Sequence, residues 1–309
     1  MSDPLFSSSA DPIIQAVSLD TVLCLDRTAF NSCNHGVKPT DYEEVLARTR
    51  LTQYIDILRP GTMIGHIDIR PCDLTWLKAA YGIGQHTGLF PKTYDEDLTD
   101  ALPYYEPLLT ALGPGPFFIR TDSVSLKNGQ HGAGPYQNMR QILESLGSCR
   151  PTHTPIDADT KSLRLYFFPW LQLAEDLEFR VFVYRGQITA ISQQHCYQRN
   201  KILTNLPDSE RQVLIRHWVK VLADYINTSV IPKLAPTGLH DYTIDIALLS
   251  AGGGGAGGCG RNEDIPYLIE LNCFGPAYAA GSSLFSWIKD NDILLRDGPG
   301  PIYFRYVSV

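Results

Sequence analysis

The sequence predicts a mixed α/β (α+β) protein built on mostly antiparallel sheets, and three observations carry that reading. EFRVFVY and QITAISQ flank Arg185-Gly186 as a hairpin. A long amphipathic stretch runs from Asp208 to about Val230. YTIDIALLS and YLIELN then read as two strands joined by the glycine-rich AGGGGAGGCGRNEDIP.

The chain has 309 residues, enough for two lobes and a filled core. With 44% hydrophobic and 19% charged residues it reads as globular rather than disordered. A formal charge of -7 argues against a broadly nucleic-acid-binding surface. Seven cysteines without a C-x-x-C pair suit a reducing compartment and give no zinc spacing. MSDPLFSSSADP lacks a basic start followed by an apolar run, and no stretch approaches the roughly 18 apolar residues of a membrane span. The expectation is a cytoplasmic protein with no membrane partner.

Along the chain, a strand is expected at SLDTVLCL. A helix follows over TDYEEVLARTRLTQYIDIL, started by a Thr40–Glu43 capping box and burying Val45, Leu46, Tyr54, Ile55 and Leu58. MIGHIDI reads as a strand, and Leu74–Ala80 and Leu98–Leu112 as helices, the second interrupted by Pro103 and Pro107. FFIRTD is a short strand, and PYQNMRQILESLG a helix opened by Pro135 and closed by Gly147. LRLYFFPW is extended, and the lobe boundary is expected there, giving residues 1–165 and 166–309. In the Asp208 helix the expected buried stripe is Val213, Leu214, Trp218, Val221, Leu222 and Tyr225. The glycine run from Gly252 to Gly258 lacks a G-K-[ST] ending and a following helix, so it is a linker and not a phosphate loop.

Strand periodicity selects the candidate site. Leu268, Glu270 and Asn272 are expected on one side of their strand, and Ile269, Leu271 and Cys273 on the other. Pairing with the YTIDIALLS strand brings Asp245 beside Glu270 and Asn272. Two adjacent carboxylates repel unless a positive group lies between them, and magnesium suits oxygen ligands of this kind. A solvated sheet face produces the same alternation. Glu178 and Arg180 share a face, where Arg180 reads either as a phosphate-binding fork or as half of a surface charge pair. Arg120 and Asp122 pose the same choice. Gln193 is placed to meet a ligand or to cap an edge, and His195 has no placed partner.

These stretches together resemble the cell division cycle protein 123 family, a branch of the ATP-grasp superfamily. The carrying segments are FFIRTDSVSLKNG, LRLYFFPW, EFRVFVYRGQITAISQ, YTIDIALL and YLIELNCFGPAYAAGSSLFSW, about Phe117 to Trp287. The resemblance implies an ATP-grasp fold of two lobes with ATP and Mg2+ held in the cleft between them. It gives Asp245, Glu270 and Asn272 as metal ligands. Arg120, standing where the family has a lysine, Asp122, Arg180 and Gln193 would contact the nucleotide. Phe167, Phe168 and Trp170 would offer a hinge to adenine. Gln194 stands where the family tends to have a basic residue. The implied role is an assembly factor for eukaryotic translation initiation factor two that binds its gamma subunit. Other ATP-grasp proteins make the alternative an ATP-dependent carboxylate-amine ligase acting through an acylphosphate.

Overall fold

A computed structural model describes residues 11–24, 26, 29–32, 38–151, 154–250, 264–278 and 280–309. The glycine run lies outside them. Among the described residues nine strands occur in chain order: β1 (Ile13–Ser18), β2 (Gly65–Ile69), β3 (Phe117–Arg120), β4 (Leu163–Pro169), β5 (Glu178–Tyr184), β6 (Gln187–Gln193), β7 (Tyr242–Ser250), β8 (Asp264–Asn272) and β9 (Tyr303–Ser308). The chain divides into two compact units, residues 59–172 and residues 1–58 with 173–309. The sequence-expected boundary at 165/166 falls inside β4, whereas the junctions fall at 58/59 and 172/173.

The smaller unit holds the antiparallel sheet β2-β4-β3. Its core gathers Ile67, Leu77, Leu98, Tyr105, Ile119, Ile142, Leu165 and Phe167 from the sheet and three helices, Pro71–Thr87, Asp95–Ala111 and Met139–Leu146. The second helix runs through Pro103 and Pro107 without a break, because four buried side chains (Leu98, Ala101, Tyr105 and Leu109) hold it to the core. The third begins four residues later than Pro135 suggests. Asn138 caps it, its side-chain oxygen accepting from the Gln141 N–H at 3.0 Å.

The larger unit is a six-stranded sheet in the order β1-β9-β6-β5-β7-β8. The β6-β5-β7-β8 half is antiparallel, and β1 and β9 join in parallel. The β5–β6 hairpin turns at Arg185 and Gly186, both at positive φ (49° and 69°), as a two-residue hairpin loop requires. At the N-terminus the strand is IIQAVS, upstream of the expected SLDTVLCL. Ser18 ends it and caps the short helix Leu19–Leu23, its hydroxyl accepting from the Thr21 N–H. The expected helix over residues 40–58 is two helices, Tyr42–Arg48 and Leu51–Leu58. Asp41 precedes the first without a side-chain cap, and the buried stripe is confined to Leu51, Tyr54, Ile55 and Leu58.

The Asp208–Tyr225 helix covers one face of this sheet, with the Trp218 ring 5.4 Å from that of Phe179 and tilted by 56°. Its buried stripe is Ile215, Trp218, Val219 and Leu222, rotated from the expected one so that Val213 is 69% exposed. Periodicity fixed the helix but left its angular setting to the partner surface, which selects Ile215 and Val219. Leu222→Ala should therefore cost about 2–5 kcal/mol in urea unfolding. Val213→Ala should stay within about 0.5 kcal/mol.

Candidate functional site

The site is assembled on the sheet face opposite that helix, by register. Arg180 of β5 pairs with Asp245 of β7 and with Ser192 of β6, and Asp245 in turn pairs with Glu270 of β8. Residues directly opposite across strands share a face, so Arg180, Asp245, Glu270 and Ser192 form one row. Thr243 and Asn272 pair in the next row. A bulge between Asp245 and Ile246 sets this arrangement, with Ile246 facing Leu268 while Asp245 faces Glu270. Ile269 is the inserted residue. The bulge sends Leu268 to the Ile246 side, buried, whereas strict alternation put it beside Glu270.

Arg180 and Asp245 are both nearly buried, 8% and 3% exposed. Arg180 donates from Nε to Asp245 Oδ1 at 2.8 Å and from an Nη to Oδ2 at 2.7 Å. Its other Nη donates to the Gly281 carbonyl at 2.6 Å. Asp245 Oδ2 also accepts from Gln194 Nε2 at 3.2 Å and Asn272 Nδ2 at 3.3 Å. Burial opposes the Arg180 charge, yet Asp245 and then Glu270 raise its pKa above the ordinary arginine value. Thr243, fully buried opposite Asn272, has no hydrogen-bond partner for its hydroxyl among the described residues.

A strap, residues 280–287, packs over this face. Phe285 and Trp287 lie against Phe182, with centroids at 5.5 Å each. Leu284 N–H donates to Ser192 Oγ, and Ser283 Oγ to Gln194 Oε1 at 3.1 Å. The N-terminal residues Asn31 and Ser32 fasten the strap. Asn31 N–H donates to the Ser283 carbonyl at 2.7 Å, and its side-chain oxygen accepts from Ser283 N–H. Ser32 N–H donates to Ser282 Oγ, and Ser32 Oγ accepts from Trp287 N–H. A Cβ at Gly281 would meet Asn31 Oδ1 at 2.4 Å, so a side chain there would displace the Asn31 amide from the strap. Asn31, Gly281, Ser283 and Gln194 were not singled out as parts of the site. The first three are joined by loop contacts more than 240 residues apart in sequence, for which no local pattern exists.

The other sequence candidates fall differently. Gln193 pairs with Phe179, so it lies on the opposite face from Arg180 and is fully buried. Its amide nitrogen donates to the His195 and Gln198 carbonyls, and its oxygen accepts from Val307 N–H. That amide is a brace between β6 and β9, and alternation removes it from the site. His195 gains a partner, Glu178 at 3.3 Å, and Glu178 with Glu175 and Asp176 raises its pKa above 6.5 despite burial. In the smaller unit Arg120 is 3% exposed and its Nε donates to the Thr121 carbonyl at 3.4 Å. Asp122 lies just beyond the end of β3. Phe167 is in the core, edge-on to Phe117, and its carbonyl accepts from Ile64 N–H. Phe168 faces Phe118, with Arg59 over its ring at 5.9 Å, and Trp170 N–H donates to the Pro116 carbonyl. Two backbone groups of the expected hinge are thus committed to the sheet.

Chemically, the face of the larger unit offers two carboxylates and a carboxamide. Oxygen donors of this kind suit a hard divalent cation, and the guanidinium against Asp245 shows that the row accepts positive charge. Among the described residues no three His, Cys, Asp or Glu side chains gather as a metal set.

A two-unit α/β fold with a bulged antiparallel sheet carrying a buried Arg–Asp row defines the class of this protein. The D123 family model matches residues 140–307, and the chain belongs to the D123 family. Its fold is similar to Cdc123 from Schizosaccharomyces pombe, with a TM-score of 0.55 at 16% identity, over 88% of this chain and 99% of that one. The C-terminally truncated form of that protein aligns with a TM-score of 0.52 at 15% identity, over 88% and 99%. No curated protein matches the chain.

Removing Asp245 strands a buried guanidinium. Asp245→Ala should cost about 3–5 kcal/mol in chemical denaturation, whereas breaking the exposed Arg164–Asp68 pair should cost under about 1 kcal/mol. The His195–Glu178 pair supplies a pH test. A raised imidazole pKa stabilises the fold below about pH 6.5, and that contribution is lost as pH rises through the folded-state value. The melting temperature of His195→Gln should trail wild type below about pH 6.5, and the gap should close as the pH is raised through the folded-state value.

Proposed function

We propose that this chain is an ATP- and magnesium-binding protein of the ATP-grasp type that serves as an assembly factor in the cytoplasm, binding the gamma subunit of translation initiation factor two. Membership of the D123 family and the fold shared with a Cdc123 structure support the assembly role. The nucleotide reading is supported chiefly by the row of Arg180, Asp245 and Glu270 with Asn272 beside it. Glu270 and Asp245 carboxylate oxygens and the Asn272 amide oxygen would hold the cation, which when bound neutralises phosphate charge. Arg180 would orient phosphate oxygens with the outer edge of its fork, the inner edge being held by Asp245. The nucleotide contacts assigned by resemblance to Arg120, Asp122, Phe167, Phe168 and Trp170 belong to the same proposal. Gln193 does not, because its amide is spent on the β6–β9 brace.

Mg-ATP should raise the melting temperature of wild type in proportion to the logarithm of its concentration. Glu270→Ala/Asn272→Ala should abolish that rise while melting normally without ligand. An unchanged rise in the double variant removes the metal assignment. Capture of the gamma subunit by purified chain, with ATP retained and not consumed, is the expected result for an assembly factor. ATP turnover that depends on an added carboxylate and amine would instead support the ligase.

A further inference from the structure

Asp245 is already fully engaged. A carboxylate oxygen carries two lone-pair sites, yet Oδ2 serves three donors, from Arg180, Gln194 and Asn272, and Oδ1 serves Arg180 Nε. At 3% exposure Asp245 is almost wholly covered by its neighbours. A cation in direct contact with Asp245 must therefore displace a donor, and at a contact distance of about 2.1 Å it would stand within a few ångströms of the guanidinium. The two positive groups compete for one carboxylate.

The guanidinium has little freedom to withdraw. The Gly281 carbonyl holds its other side at 2.6 Å, and Gly281 belongs to the strap pinned by Asn31 and Ser32. The amides are the weaker partners: Gln194 and Asn272 sit at 3.2 and 3.3 Å against 2.7 and 2.8 Å for the arginine. Arg180 uses three of its five N–H donors in these bonds, so two remain for an incoming anion. An anion that binds both the cation and those donors removes the repulsion between them.

We infer that Arg180 and Gln194 are specificity-determining residues that close the Asp245 site to a free divalent cation and open it to a cation carried by a polyphosphate. This rests on the Mg-ATP reading above and goes beyond it: both residues hold off a free cation, and Arg180 in addition holds the polyphosphate, so its effects on the two ligands have opposite sign. Gln194 supplies this with a neutral donor: it occupies Oδ2 without adding charge, and Ser283 Oγ holds its own oxygen. A residue that merely supported the site would, when removed, weaken both ligands alike.

The test titrates Mn2+ as a paramagnetic probe, with and without a non-hydrolysable ATP analogue, reading free Mn2+ by electron paramagnetic resonance. Gln194→Met should tighten Mn2+ alone roughly tenfold by releasing Oδ2. Arg180→Gln should tighten Mn2+ alone further while weakening the Mn-nucleotide complex at least tenfold. Should Arg180→Gln fail to give a cooperative melt, Gln194→Met decides alone, since it leaves the Arg180–Asp245 pair in place. Unchanged or weaker Mn2+ binding by Gln194→Met overturns the gating assignment. Wild type that binds neither Mn2+ nor the complex, or Glu270→Gln that binds both as wild type does, overturns the underlying metal reading instead.

Discussion

The Arg180–Asp245 pair is the constraint on which the rest of the larger unit depends. A guanidinium stays charged at any accessible pH, so burying one demands an anion and acceptors for its remaining donors. Asp245 supplies the anion through a two-point contact, and the Gly281 carbonyl supplies a further acceptor. Meeting that demand fixes three distant parts of the chain. The β5–β7 register must align Arg180 with Asp245, the strap must present Gly281, and residues 31 and 32 must hold the strap. A charge that contributes little net stability thus specifies a tertiary arrangement.

The bulge at Asp245/Ile246 reconciles that polar row with an apolar core. Without it, Leu268 would share a face with Glu270, and an aliphatic side chain would stand in the row of ionic groups. The extra residue, Ile269, turns Leu268 to the face where Ile246 and the Asp208–Tyr225 helix bury it, and leaves Glu270 and Asn272 opposite Asp245 and Thr243. A local defect in the ladder lets one strand serve two chemistries in succession.

Much of this was legible in the sequence. The Arg185-Gly186 hairpin, the strand pair carrying Asp245 and Glu270, and the shared face of Glu270 and Asn272 follow from a period of two and from turn chemistry, which are local. The likeness to the cell division cycle protein 123 family agrees with the family and the fold. What failed depends on tertiary context. A bulge shifts a face without altering composition, and the stripe of the Asp208 helix was rotated by the surface it meets. Two prolines did not interrupt a helix held by four buried side chains. Gln193, expected to meet a ligand or cap an edge, lies one step of alternation from Ser192 and so on the face away from Arg180. The useful glutamine was Gln194, read as a mere loss of charge.

That loss of charge has a consequence of its own. Arg180, Asp245 and Glu270 carry a formal sum of -1 in one row of the sheet. A lysine or arginine at position 194 would bring that formal sum to zero and weaken the pull of the row on a cation. Glutamine keeps the hydrogen bond to Asp245 Oδ2 while leaving the negative balance intact. Its occupancy of Oδ2 resists a bare ion, and the two remaining Arg180 N–H donors favour an ion that arrives with phosphate. A carboxamide in place of a base therefore changes how selective the row is, and need not abolish what it holds.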